Sequence, residues 1–511
     1  MEETTRYTTC KKGTPFNLSV EDLKIFLGIL IFSGYHTLPS ERDYWSDQED
    51  LGVPLVRDAM SRNTSLEKIS VIHFQNNAKV KDNKNDRSFK IRPLIDMVNA
   101  NFRKWKILHK NLSVDGMIIR YYGHHPLKQF IRSKPIRFGY NLWALSGENG
   151  YCYNFSLYCG KESENIKNAP LGTRVVNQML SIVDDPSSHV IYFDNFFTSF
   201  ALLDKLRGKG IRATGTIREN RMGKCTLMSA EELEKFPRGY NDYKFESNNE
   251  IFIVRWKDNK CVAVATNFDT LEPTVQVMRW CKEKSAKAFV PRPALINNYN
   301  KYMGGVDMHD WLLEKHAIAI KGKKWYWSVF TRILDMSIVN AYLLYRDIHG
   351  KQSISIKDFS RAITVPYLKL GYGKRVQRGR PLSFLLTSRA TKSDDIRYYG
   401  KEHMNEKRDK QRIGIRRHIT PMFLQPYLLS PTPKASNLTF SLIKGESRER
   451  DEGKAKMQSF KKLCPSLLLQ MNASGGKQIY GLTAEEWRKA NHCLPASSTK
   501  LDGSWIEEIK K

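Results

Sequence analysis

The period of the apolar positions changes along this chain, and each change predicts an element. Ser19 and Asp22 make a capping-box pattern ahead of the apolar run 23–32, which reads as a buried helix. Helical pattern with scattered basic residues continues to about Lys110. Residues 112–122 are short, β-branched and alternating, as a strand is. Residues 138–146 and 151–159 read as two more strands, joined by the Gly-Glu-Asn-Gly turn at 147–150. A helix follows over 172–183, a buried strand over 190–193, a helix over 199–207 and a strand over 211–217. The first three strands suit an antiparallel meander, and the later two, each reached through a helix, suit parallel addition. The predicted class is therefore α/β (α+β), a mixed sheet flanked by helices. Residues 220–292 break the rhythm with short strands and charged loops, and helical pattern resumes at Ala294. The Gly/Arg/Lys-rich stretch 372–380 reads as a linker, 398–418 as a solvated basic segment, and 420–511 as irregular.

Composition narrows the partner. A chain of 511 residues has room for about three domains. Lys plus Arg is 83 against 53 for Asp plus Glu, a net charge of +30 that attracts polyanions, nucleic acid foremost. An apolar fraction of 41% excludes a disordered chain. No run of 18 apolar residues occurs, so no membrane span is expected. The eight cysteines form no C-x-x-C pair, so no zinc is expected, and they are too sparse for a secreted disulfide framework. The first residues lack the apolar segment of a signal peptide. A reduced intracellular compartment fits, and the charge favours the nucleus.

Few acidic residues fall where burial is expected. Asp115 interrupts the apolar strand LSVDGMII, and Asp194 closes HVIYF. Asp307 and Asp310 stand three apart in YNKYMGGVDMHD, on one side of a helix. A carboxylate at the centre of a sheet is costly unless a cation compensates it. Mg²⁺ is commonly held by a few carboxylates together with substrate phosphates. Two such ions, about 3.5–4 Å apart, stabilise both the attacking and leaving oxygens of phosphoryl transfer. Each aspartate alone reads equally well as a cap or an ion-pair partner. Together, at the first strand, the fourth strand and a late helix, they point to metal-dependent chemistry on phosphates.

The segments LSVDG, SKPIRFGYNLW, VIYFDNFFTS and YNKYMGGVDMHD, in this order, resemble the piggyBac family of transposases and the transposable element-derived proteins related to it, over roughly residues 23–412. The resemblance implies an RNase H-like catalytic core with an insertion, flanked by a split helical DNA-binding and dimerisation domain. Laid on this chain, the helical domain takes 1–110 and 317–395, the core 111–219 and 293–316, and the insertion 220–292, with a basic, irregular region at 396–511. The resemblance implies that Asp115, Asp194 and Asp307 bind Mg²⁺, or Mn²⁺ in its place, and that Asp310 is a further catalytic position. It implies a homodimer acting on double-stranded DNA, with cut-and-paste transposition through hairpin ends and insertion at TTAA. Two features depart from the family. Gly116 stands where a glutamate usually follows the first aspartate, and the cysteines of a C-terminal finger are missing, residues 413–418 reading IGIRRH. Both favour the alternative, a catalytically inactive nuclear DNA-binding derivative.

Candidate DNA contacts lie in three basic segments. Lys321, Lys323 and Lys324, beside Trp325, combine phosphate-neutralising charge with flat rings. The same residues read equally as the solvated face and aromatic core of a helix. Lys134 and Arg137, near the first strands, are placed to touch phosphates, and Arg378 and Arg380 match the core of an AT-hook or a plain basic linker. His124, His125 and His316 have no ligand spacing and read as surface or DNA-proximal.

Overall fold

The computed structural model describes residues 1–13, 18–131, 136–160, 169–281 and 285–373. Helices lead: α1 (Glu2–Lys12), α2 (Val20–Tyr35), α3 (Pro54–Arg57), α4 (Arg62–Val71) and α5 (Arg92–Trp105). The Ser19 hydroxyl accepts from the Asp22 amide at 3.0 Å and starts α2, which the sequence pattern anticipated. Ile25, Phe26, Ile29 and Leu30 of α2 are buried.

The central part alternates: β1 (Asn111–Arg120), β2 (Gln129–Phe130), β3 (Phe138–Gly147), β4 (Cys152–Leu157), α6 (Leu171–Leu180), β5 (Val190–Phe193), α7 (Phe200–Arg207) and β6 (Arg212–Thr216). Strand β3 pairs antiparallel with β1 on one edge and with β4 and the short β2 on the other. Strands β5 and β6 add in parallel beyond β1. The core order β4-β3-β1-β5-β6 is that of an RNase H-like sheet, the mixed class expected from the pattern. All four residues of β5 are buried, as a parallel strand covered on both faces requires.

Residues 220–292 fold as α8 (Ala230–Leu233), β7 (Asn241–Glu246), β8 (Ile251–Lys257), β9 (Cys261–Thr266), β10 (Val275–Cys281) and β11 (Ala286–Arg292). Strand β9 pairs antiparallel with β6, so β9, β8 and β7 prolong the same sheet, while β10 and β11 make a separate two-stranded ribbon. The chain then returns through α9 (Ala294–Tyr302), α10 (Gly305–Lys315), α11 (Trp327–His349) and α12 (Ile356–Lys369). Helix α12 packs along α2; a Cβ at Gly28 would stand 3.0 Å from that of Tyr367. Helix α11 is buried along most of its length, so one continuous apolar core joins helices and sheet. No helix among the described residues is long and apolar enough to cross a membrane.

Candidate active site

Register places the first two aspartates side by side. Val114 of β1 lies opposite Phe193 of β5 in the parallel pair, so Asp115 and Asp194 are the next residues on neighbouring strands, roughly 5 Å apart at the backbone. Asp194 is held at the sharp exit from β5. Its Oδ1 accepts from the Phe196 amide at 2.9 Å, and its carbonyl accepts from the Phe197 and Thr198 amides. Oδ1 of Asp115 accepts from the Gly116 amide at 2.6 Å.

Helix α10 brings the third. Asp307 is exposed in its first turn. The helix reaches the sheet because Gly305 has no side chain: a Cβ there would lie 2.4 Å from the Gly147 carbonyl oxygen and 2.6 Å from the Ser113 hydroxyl. All three carboxylates act electrostatically on Tyr299 of α9. Burial raises the Tyr299 phenol above its ordinary value, and Asp194, Asp115 and Asp307 each add to the rise. Its hydroxyl stands 3.4 Å from that of Thr216 on β6.

Asp310 has a different neighbour. It acts electrostatically on Arg332 of α11, as do Asp335 and Glu314. Arg332 donates to Glu314 at 2.5 Å, and Asp335 accepts from the Ile318 amide. His309 of α10 is fully buried, with Nδ1 2.8 Å from the Gly150 carbonyl and burial pushing its pKa down to about 4.

Hard oxygen donors of this kind suit Mg²⁺ or Mn²⁺ better than zinc. Among the described residues, no three His, Cys, Asp or Glu side chains gather closely enough to enclose an ion. That spacing still fits Mg²⁺, which is commonly held by one or two carboxylates with the substrate's phosphates completing the shell.

Gly116 faces an aromatic shelf. A Cβ there would lie 3.0 Å from the Trp143 ring and 3.2 Å from Asn141 Oδ1. Trp143 stacks on Phe196 at 5.4 Å, and its Nε1 is buried with no hydrogen-bond partner among the described residues. The sequence pattern anticipated neither Trp143 nor Tyr299. Trp143 looks like one more buried strand residue, although Tyr299 stands within the same motif as Asp307.

The basic candidates separate. Lys321, Lys323 and Arg137 are exposed. Lys324 turns inward and donates to the Ile72 carbonyl at 2.9 Å. Trp325 stacks on His125 at 4.3 Å, and Tyr326 and Trp327 are buried, so the aromatic stretch serves packing. His124 is exposed and His316 half-buried. Lys134, Arg378 and Arg380 lie outside the described residues.

The chain belongs to the DDE-type transposases: a family model of that class, described as Transposase IS4, matches residues 1–342. Within the class, the chain belongs to the piggyBac family; it is a transposase or a domesticated derivative of one. It is 34% identical over 408 residues to human PiggyBac transposable element-derived protein 3, covering 79% of this chain and 67% of that protein. It is 33% identical over 372 residues to human PiggyBac transposable element-derived protein 2, covering 72% and 62%. The alignments thus span about two thirds of these relatives' own lengths. The cryo-EM structure of a piggyBac transposase synaptic complex with hairpin DNA superposes with a TM-score of 0.62 at 19% identity, over 74% of this chain and 78% of that one. At that identity the superposition speaks for the fold.

Proposed function

We propose that the protein is a nuclear, homodimeric DNA transposase that cuts and joins double-stranded DNA at TTAA sites with Mg²⁺ or Mn²⁺. One observation carries this: the β1–β5 register sets Asp115 beside Asp194, and both, with Asp307 from far along the chain, act electrostatically on Tyr299. The family implies divalent metal, and the carboxylates are of the kind that would hold it. Bound there, the ions would activate the attacking oxygen and offset charge on the leaving one. The protein's own part is positional. The backbone amides of Gly116 and Phe196 fix one oxygen each of Asp115 and Asp194. Gly305 lets α10 carry Asp307 to the sheet. Exposed Lys321, Lys323 and Arg137 offer charge to DNA phosphates.

The test is cleavage of family-type end substrates. Asp194→Asn removes a charge needed beside two divalent cations, and activity should fall by several orders of magnitude while DNA affinity holds. Cleavage by Asp194→Asn at the parent rate would show the site to be misassigned. A second reading has its own support: Trp143 occupies the space that a glutamate at 116 needs. If the parent cleaves no substrate with either metal but still binds DNA, the protein is the non-catalytic derivative.

A further inference from the structure

Away from the carboxylates, two lysines from separate elements converge on one stacked ring pair, and a third acts on it electrostatically. Tyr7 of α1 stacks on buried His73 at 3.5 Å. Lys11 Nζ lies 5.7 Å and Lys324 Nζ 5.0 Å from the Tyr7 ring centre. Lys90, just before α5, acts electrostatically on both His73 and Lys324, as does Lys11. No acidic residue is among the groups acting on either His73 or Lys324.

Hydrogen bonding makes the imbalance concrete. The Asn77 amide donates to His73 Nε2 at 3.3 Å, and Nδ1 lies 2.9 Å from the Val71 carbonyl. That assigns a neutral imidazole with its proton on Nδ1. Lys324, 3.1 Å from Nδ1, therefore meets another donor, and the Ile72 carbonyl is its acceptor. Burial and the two other lysines push Lys324 down to about 7. Among the described residues, the groups acting on His73 and Lys324 are cations, with no acidic side chain among them.

We propose that Lys11, Lys90 and Lys324, around the Tyr7–His73 stack, form a binding site for a phosphate group, filled by a backbone phosphate of bound DNA. The phosphate site does not depend on the function proposed above; its DNA source rests on it. A phosphate supplies the acceptors that Lys324 lacks and the negative charge that relieves the repulsion among the three. Tyr7 and Tyr326 position Lys324, whose Nζ lies 5.0 and 5.7 Å from their ring centres; Tyr326 is fixed by donating to the Ile72 carbonyl at 3.1 Å.

The test uses the full chain. Its unfolding temperature is measured against inorganic phosphate at constant ionic strength, for the parent, Lys11→Gln and Lys90→Gln. Phosphate should raise the parent's unfolding temperature, and each variant should shrink that rise. Without phosphate both variants should unfold at or above the parent temperature, because each loses a repulsion; that control shows they are folded. In DNA binding, each substitution should lower the slope of log affinity against log salt by about 1, equally for every sequence. An equal phosphate effect in parent and variants would overturn the site. A lost phosphate effect with an unchanged salt slope would overturn the DNA source and leave a small phosphorylated ligand. A parent that binds no DNA would overturn the proposed function, while the phosphate titration would still decide the site.

Discussion

Gly116 shows how one missing side chain constrains the chemistry around it. Its Cβ position is already within 3.0 Å of the Trp143 ring, and Trp143 is wedged against Phe196, whose amide holds Asp194. Gly116→Glu should therefore cost about 1–3 kcal/mol, as overpacking does, seen as a lower urea midpoint with an unchanged slope. Trp143→Leu in the same chain should recover much of that loss. If Gly116→Glu alone unfolds at the parent midpoint, the shelf is softer than its packing indicates. Residue by residue, the aspartates were legible because a charged residue inside an apolar run breaks the pattern. Trp143 was not, because a tryptophan in a buried strand obeys the pattern. Lys324 was legible as a cation but not in its direction; Ile72, whose carbonyl holds it, lies 252 residues away in sequence.

At the scale of elements, α10 is the part that must be placed well, and its two leading glycines are not equivalent. A Cβ at Gly304 meets nothing within 4 Å, whereas one at Gly305 meets the Gly147 carbonyl at 2.4 Å. Gly304→Ala should change stability by less than about 0.5 kcal/mol. Gly305→Ala should cost at least about 2 kcal/mol. By lifting Asp307 from the other two carboxylates, it should also cut any cleavage activity about 100-fold. Calorimetry and a cleavage assay on both variants check this. Equal behaviour of the two would remove Gly305 from its role.

Helix α11 adds a pH dependence. Burial pushes the carboxyl of Asp335 up to about 8, against the pull of Arg332. The native state then holds a proton that the unfolded chain releases above about pH 4. Stability from this group is complete below that pH and falls as pH rises towards 8. The neighbours that share the effect are Arg332, Glu314 and the Ile318 amide. Asp335→Asn should flatten the decline: urea unfolding at pH 5 and pH 8 should show the variant gaining on the parent at the higher pH. Parallel curves would mean that Asp335 is ionised in the fold throughout.

The whole molecule is dominated by its +30 charge. If six or more phosphates are neutralised, DNA affinity should fall about 10³-fold or more between 50 and 200 mM salt. It should do so in Asp194→Asn as in the parent; a flat titration would assign the charge to another task. At this scale the sequence pattern conveyed the order of core elements, since each strand and helix carries its own period. Pairing beyond β6 was not legible. Nothing in the residues of β9 says that its partner is β6, because strand pairing is settled by distant packing and not by local preference.

That pairing bears on how the segment 220–292 can be handled by evolution or by an engineer. Strand β6 would otherwise be the rim of the sheet, and β9 covers it. Trimming the segment would leave a row of unmatched backbone donors and acceptors along Arg212–Thr216, a template for joining one molecule to the next. Truncation here thus trades a fold for a polymer. Shortening that keeps β9 in place, for example within the β10–β11 ribbon, leaves the rim closed.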